Sequence, residues 1–354
     1  MVEGTAGPAS ERDVATTLMD REAAESGAAV GRMIEANLTR LTALGERLRA
    51  APPARIVTIA RGSSDHAATY GKYLIETMIG VPVASAAPSV ASVFSANVAE
   101  EPATLCIAIS QSGRSPDLLA TVTAQRAAGA HIVALVNDEQ SPLAQQADTL
   151  VALSAGPEKS VAATKSYITA LAAQALMVAL WSENEALLTA VNSLPGELER
   201  ACGLDWSSAV PALRDATNMF VIGRGYSFGI AQEAALKFKE TCALHAEAFS
   251  AAEVRHGPMT IVRAGFPVLG FATSDTAGDS VREAAQEFAA RDALLRVADP
   301  AGNGEAALPA IPAHPAIEPI LMVQSFYRMV NALALARGMD PDKPQYLSKV
   351  TETR

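Results

Sequence analysis

Residues 231–242 read AQEAALKFKETC, and Glu233, Lys237 and Glu240 stand at i, i+4 and i+7. That spacing places all three on one face of a helix. On an exposed helix such a series is a salt-bridge face, worth ~0.3–0.5 kcal/mol per pair. Here Ala234, Ala235, Leu236 and Phe238 leave the segment little other polar surface. Two carboxylates flanking a lysine in an apolar crevice have displaced pKa values, which suits them to moving protons. Residues 245–259 follow as HAEAFSAAEVRHGPM. Two histidines and two glutamates so close together invite a metal, but their spacing matches no helical ligand set, and no metal site is expected. His256 precedes Gly-Pro, so it sits at a turn, an exposed place for a proton shuttle. His245 reads equally well as a hydrogen-bonded structural histidine.

A second chemistry is written in two serine-rich loops. LCIAI at 105–109 runs into SQSGRSPD at 110–117, and RIVTIA at 55–60 runs into RGSSDHA at 61–67. Each apolar run reads as a buried parallel strand, and each loop as a helix start; Ser115-Pro116-Asp117 supplies a cap, a first-turn proline and a first-turn acid, and the helix after Gly62 is expected to run through Met78. One such loop alone is an ordinary serine-capped connection. Two of them converge if the strands are neighbours in a doubly wound sheet. Hydroxyls and free N–H groups at two helix N-termini then form a cradle for a phosphate that needs no lysine.

The elements that must position these groups follow from composition and repetition. A chain of 354 residues, 49% hydrophobic, can bury two cores. A shift of 163 positions lays TIARGSSDHA on VIGRGYSFGI at 221–230 and CIAISQSGRS on LGFATSDTAG. Both halves alternate apolar strands with helical patterns, which predicts two α/β domains with parallel sheets. SLPGEL and CGLDWSSAVP break the pattern and place the linker near 190–212. The repeat is asymmetric. In the second half the serine loop has become TSDTAGD, whose acids repel phosphate, so only the first half is built for one.

Net charge −10 with no basic tract argues against nucleic acid or a bilayer surface as partner. Cys106, Cys202 and Cys242 are far apart and odd in number, which suggests a reducing, cytoplasmic setting. The first thirty residues lack the order of a signal peptide. YITALAAQALMVALW at 167–181 falls short of the roughly 20 residues a membrane span needs and is expected to be a buried helix.

Taken together, SQSGRSPD, VAATKSY at 161–167, ALKFKE, AEVRHGP and the terminal DKPQYLSKVTETR resemble the sugar isomerase (SIS) domains of glucosamine-6-phosphate synthase. The motifs occur in the same order, and the likeness covers nearly all of the chain after residue 30. No cysteine precedes 106 and position 2 is Val, so no counterpart of the synthase's glutaminase nucleophile is expected in this chain. RGSSDHA, AAPSVASVF at 86–94, ALVND at 134–138 and KVTETR are most similar to the stand-alone SIS-type glucosamine-6-phosphate deaminases. The resemblance implies an N-terminal extension over 1–30, a sugar-phosphate-binding SIS domain over 31–195, a second SIS domain with the catalytic helix and histidine loop over 205–340, and a tail over 341–354 that closes over the site. Each domain is expected to be a flavodoxin-like, doubly wound α/β/α layer structure.

Position by position, the resemblance assigns phosphate and sugar contacts to Ser63, Ser64, Ser110, Gln111, Ser112, Ser115 and Val161. Glu240 matches the base that carries a proton between C1 and C2, with Glu233 and Lys237 as its partners, and His256 matches the group that opens the sugar ring. Lys349 matches a lysine that contacts the open-chain sugar and can form a Schiff base, although a lysine in such a tail is by itself a solvated charge. Gln345-Tyr346 and Ala163 depart from the synthase pattern. The implied reaction is glucosamine-6-phosphate plus water to fructose-6-phosphate plus ammonia, with no cofactor, in a homodimer whose sites are shared through His256. Alternatives are a glutamine-independent aminotransferase-like isomerase, a galactosamine-6-phosphate deaminase, a fructosamine-phosphate deglycase, and a non-catalytic module that senses a sugar phosphate.

Overall fold

The computed structural model describes residues 17–96, 98–100, 103–347 and 349. Helices α1 (Leu18–Ala24) and α2 (Ser26–Ala50) lead into β1 (Arg55–Ile59), α3 (Ser63–Met78), β2 (Val83–Ser85), α4 (Pro88–Ser92), β3 (Thr104–Ser110), α5 (Pro116–Ala127), β4 (His131–Val136), α6 (Pro142–Gln145) and β5 (Thr149–Ala152). Three helices, α7 (Lys165–Ser182), α8 (Glu185–Cys202) and α9 (Ala209–Leu213), connect the halves. The second half holds β6 (Asn218–Gly223), α10 (Phe228–Cys242), β7 (His245–Ser250), β8 (Pro267–Phe271), α11 (Thr276–Ala289), β9 (Leu294–Asp299), β10 (Ala307–Pro309) and α12 (Glu318–Ala336).

Every strand pair is parallel, and the two five-stranded sheets have the orders β2-β1-β3-β4-β5 and β10-β9-β8-β6-β7. Read from β6 as first strand, the second order repeats the first, and both are the flavodoxin-like order 2-1-3-4-5. The internal repeat is therefore structural: β1 and β6 begin 163 positions apart, as do β3 and β8.

Both faces of the first sheet are buried, which explains strands that read as unbroken apolar runs. Leu105, Ile107 and Ile109 of β3 join the large core with α2, α3 and α7, while Cys106 and Ala108 face a smaller core with Leu118 and Val122 of α5. The large core continues into the second half through Phe238 of α10, Phe326 of α12 and Phe271 of β8. The run at 167–181 is the buried centre of α7, and among the described residues no helix is long and apolar enough to cross a membrane.

Two expected boundaries cut through helices. Helix α2 runs unbroken across residue 30, and the chain before it is tied to the end of the molecule: Thr17 Oγ1 donates to Asn331 Oδ1 at 2.9 Å, and the Leu18 and Met19 amides donate to Asp342 at 2.8 Å each. SLPGEL does not break the chain either, because Pro195 lies inside α8. A proline there removes one N–H bond, but Leu187, Val191, Leu194, Leu198 and Ala201 are buried and hold the helix in register. Packing also explains the partner residue: a Cβ on Gly27 of α2 would lie 2.6 Å from the Pro195 carbonyl oxygen. The halves separate at Gly203–Ser208, between α8 and α9.

Candidate active site

β1 and β3 are adjacent strands whose following helices leave in different directions, so the loops after them meet at a topological switch point. After β1 the chain turns at Gly62 (φ 56°, ψ −133°), a conformation that disfavours any side chain, and Ser63 and Ser64 open α3. After β3, Ser110 Oγ accepts the Gly113 amide at 2.9 Å. Ser115 occupies the N-cap of α5 without spending its side chain on the cap. A cavity of about 300 Å³ lies between these loops.

Ser63, Ser64, Ser110, Gln111, Ser112 and Ser115 all line that cavity. Val161 and Ala163 close one side from the loop before α7, and Lys237 and Glu240 close another from α10. Leu347 and Lys349 reach it from the tail. The second half can reach the first because α3 and α10 touch backbone to backbone; a Cβ on Gly229 would lie 2.5 Å from the His66 carbonyl oxygen.

The charged face of α10 is no solvated salt-bridge face. Glu233 and Lys237 are both 0% exposed, whereas Lys239 is exposed. Glu233 accepts hydrogen bonds from Ser63 Oγ (3.1 Å) and Tyr327 OH (3.1 Å), and it faces His66 Nδ1 at 3.0 Å and Lys237 Nζ at 3.2 Å. Burial alone pushes the Glu233 carboxyl up. The Lys237 charge, the His66 contact and the Ser63 hydroxyl together outweigh it and hold the group down at about 2. Burial likewise pulls Lys237 down, and Glu233 and Glu240 outweigh it, so the ammonium is held above its ordinary value. Both shifts favour the ion pair, which makes Lys237 a fixed cation and no proton acceptor. Its Nζ lies 2.5 Å from Glu240 Oε2, and the Glu240 side chain is 19% exposed. Of the three charges on this face, Glu240 is the one that can meet a bound molecule and take a proton from it.

Lys349 is not a free tail charge. It donates to the Ser160 carbonyl at 2.7 Å and faces Glu158 Oε2 at 3.3 Å. Glu158, itself buried, accepts the Thr164 and Ser166 amides and the Ser166 hydroxyl (3.0, 3.1 and 2.6 Å). The lysine thus rests on the loop that begins α7. Tyr346 is exposed with φ 62°. Ser348 and the residues after Lys349, which complete the KVTETR motif, lie outside the described residues.

His256 is not brought to this cavity within its own chain. It is exposed on the loop after β7, next to Gly257, and His245 is exposed at the start of β7, an edge strand. The corresponding cradle of the second half is closed. Asp275 caps α11 by accepting the Gly278 amide at 3.0 Å, and the buried Glu318 takes the Ser274 amide at 2.7 Å. Internal carboxylates hold the donors there, as the acids of TSDTAGD foretell. Sequence reasoning missed Arg61, Leu347, His66, Glu158 and Tyr327. Arg61 and His66 lie inside the quoted RGSSDHA, but nothing in spacing shows that His66 meets Glu233, 167 residues away. Among the described residues no three His, Cys, Asp or Glu side chains gather as metal ligands.

This geometry has relatives. The sequence model of the SIS domain matches residues 50–180 and 212–298. The glutamine–fructose-6-phosphate aminotransferase (isomerizing) of Symbiobacterium thermophilum is 33% identical over 315 residues, 83% of this chain and 51% of that protein. The chain thus spans about half the length of the curated relatives it matches. A Silicibacter pomeroyi crystal structure, provisionally described as a phosphosugar isomerase, superposes with TM-score 0.86 at 43% identity, covering 92% of this chain and 100% of that one. The glucosamine-6-phosphate deaminase of Thermotoga maritima shares the fold at TM-score 0.77 and 20% identity, over 95% of this chain and 100% of its own. Two sheets of one topology, a serine-lined switch point and the match of both halves give one conclusion: the chain belongs to the SIS domain family.

Proposed function

We propose that this protein is a phosphosugar isomerase acting on an aminosugar phosphate, converting glucosamine-6-phosphate and water to fructose-6-phosphate and ammonia. The observation that carries the reading is the presence of Glu240, held by a buried cation, in the same cavity as two serine loops at helix N-termini. The phosphate binds the hydroxyls and amides around Ser64, Ser110, Ser112 and Ser115, with Gln111 and Val161 beside it. Fixing the phosphate holds the mobile open-chain sugar with its C1 and C2 toward α10. Glu240 takes the proton from C2 and returns it to C1, while O1 gains a proton and the amine nitrogen loses one, so that the C1 aldehyde becomes a hydroxymethyl group and C2 an imine. The C2 imine adds water and expels ammonia, leaving the ketone. A general base of this kind contributes roughly 10²–10⁴-fold. Glu233 and Lys237 orient it, and Lys349 contacts the open-chain sugar from the tail.

Ring opening falls to His256, which we place in the site of a second copy of the chain, because it is exposed and away from the cavity of its own. Measuring ammonia release from glucosamine-, galactosamine- and fructosamine-6-phosphates tests the function and selects among the substrates. Release from glucosamine-6-phosphate is expected; release from none of the three removes the deaminase reading. One observation favours a second reading, the 33% identity to a glutamine–fructose-6-phosphate aminotransferase (isomerizing). Formation of glucosamine-6-phosphate from fructose-6-phosphate and ammonia, faster than the reverse, would select it.

A further inference from the structure

Arg61 precedes the Gly62 turn and lines the cavity, and about half of its side chain is exposed, 52%. Its guanidinium crosses from one serine loop to the other. Nε and Nη2 donate to a single oxygen, Asp117 Oδ2, at 2.9 and 2.7 Å, while Asp117 Oδ1 takes the Leu118 amide at 2.8 Å. Asp117 is 1% exposed, in the first turn of α5 and two residues beyond Ser115. A guanidinium held along one edge keeps the donors of Nη1 for another acceptor. The other two cations of the cavity are committed, Lys237 to Glu233 and Glu240, and Lys349 to Glu158 and the Ser160 carbonyl. Hydroxyls and amides accept any oxyanion. A fixed cation beside them weighs its charge, because Coulomb attraction scales with that charge.

We propose that Arg61 and Asp117 form a clamp that reads the phosphate. Asp117 fixes the guanidinium and with it the spacing of the two serine loops, and the free edge of Arg61 binds the substrate phosphate as a dianion. The site is then selective for a phosphate ester over a singly charged sulfate ester of the same sugar. The proposal rests on the placement of the phosphate given above and goes beyond it in naming the residue that sets charge selectivity.

Calorimetric binding of glucitol 6-phosphate and glucitol 6-sulfate at pH 8, where the phosphate ester is a dianion, tests the clamp. For Arg61→Met the phosphate ester is expected to bind about tenfold more weakly or worse, with the sulfate ester changed by less than about threefold. Because Arg61→Met leaves the buried Asp117 carboxylate without its counter-ion, the double variant Arg61→Met with Asp117→Asn is measured beside it and should show the same loss of selectivity. Ser112→Ala is the control and should weaken both esters alike. If Ser112→Ala weakens binding while the Arg61 variants keep the wild-type preference, or lose both esters equally, the clamp is wrong and the cradle stands. If no variant weakens either ester, the phosphate is not bound there and both readings fall.

Discussion

Ser63 Oγ lies 3.1 Å from Lys237 Nζ although 174 residues separate the two. The same hydroxyl donates its one proton to Glu233 at 3.1 Å, so Ser63 joins the serine loop of the first half to the charged face of α10 in the second. That allocation sets Ser63 apart from the other cavity serines. Ser63→Ala removes a partner from two buried charges and should lower stability by about 1–3 kcal/mol, with a fall in kcat larger than the rise in KM. Denaturant titration and steady-state kinetics together check it; a pure KM effect would give Ser63 the phosphate-binding role proposed for Ser64 and Ser112.

Ser112 should behave in the opposite way. A hydroxyl donating to a charged phosphate is worth roughly 1.5–3 kcal/mol, so Ser112→Ala should raise KM for the phosphorylated sugar at least several-fold. The melting temperature should not move. An unchanged KM would place the phosphate elsewhere.

Glu240→Gln keeps the shape of the side chain and removes the carboxylate proposed as the base. Turnover should fall by ~10²-fold or more with substrate binding nearly intact. Lys239, exposed on the same helix, serves as comparison, and Lys239→Gln should be mild. Comparable losses from the two substitutions would assign the helix a role in stability and none in chemistry.

The buried pair makes stability depend on acid. Glu233 is held below its ordinary value, so the native state binds its proton less readily than the unfolded chain does. Its contribution is complete above the unfolded value near 4.5 and is lost as pH falls toward about 2. Melting temperatures of the wild type and Glu233→Gln should therefore differ most at neutral pH and converge through that window. Lys237→Met should be the harsher change, costing about 3–5 kcal/mol at pH 7, because it leaves Glu233 buried without its cation. A constant gap between wild type and Glu233→Gln from pH 7 to pH 3 would show that the pair does not titrate as described.

Shared sites have a quantitative signature. Glu240→Gln and His256→Ala should each be nearly inactive alone. Refolded together in equal amounts they should regain about a quarter of wild-type activity, since half of the dimers are mixed and each mixed dimer rebuilds one site of two. Verified mixed dimers without recovery would confine His256 to its own chain.

The features legible in the amino-acid sequence are local and periodic ones. Strands buried on both faces leave continuous apolar runs, and a helix start at a strand end leaves serine, glycine and proline in fixed order, so β1, β3, the N-terminus of α5 and the span of α3 were legible. The 163-residue repeat was legible for the same reason: two copies of one topology need the same pattern twice. The i, i+4, i+7 series on α10 gave a shared face; the acid–base role proposed for it rests on the family resemblance.

Whether that face is wet or dry depends on packing between distant segments. Burial is set by α3 and α12 closing over Glu233 and Lys237, through His66 and Tyr327, which no spacing along the chain connects. Packing also overrode a local signal at Pro195, where a buried apolar stripe outweighs one missing N–H bond and keeps α8 whole. Arg61 shows the same limit from the other side. Its charge was plain to read, but whether it is solvated or clamped depends on Asp117, 56 residues away, and that distance closes only when β1 and β3 lie side by side.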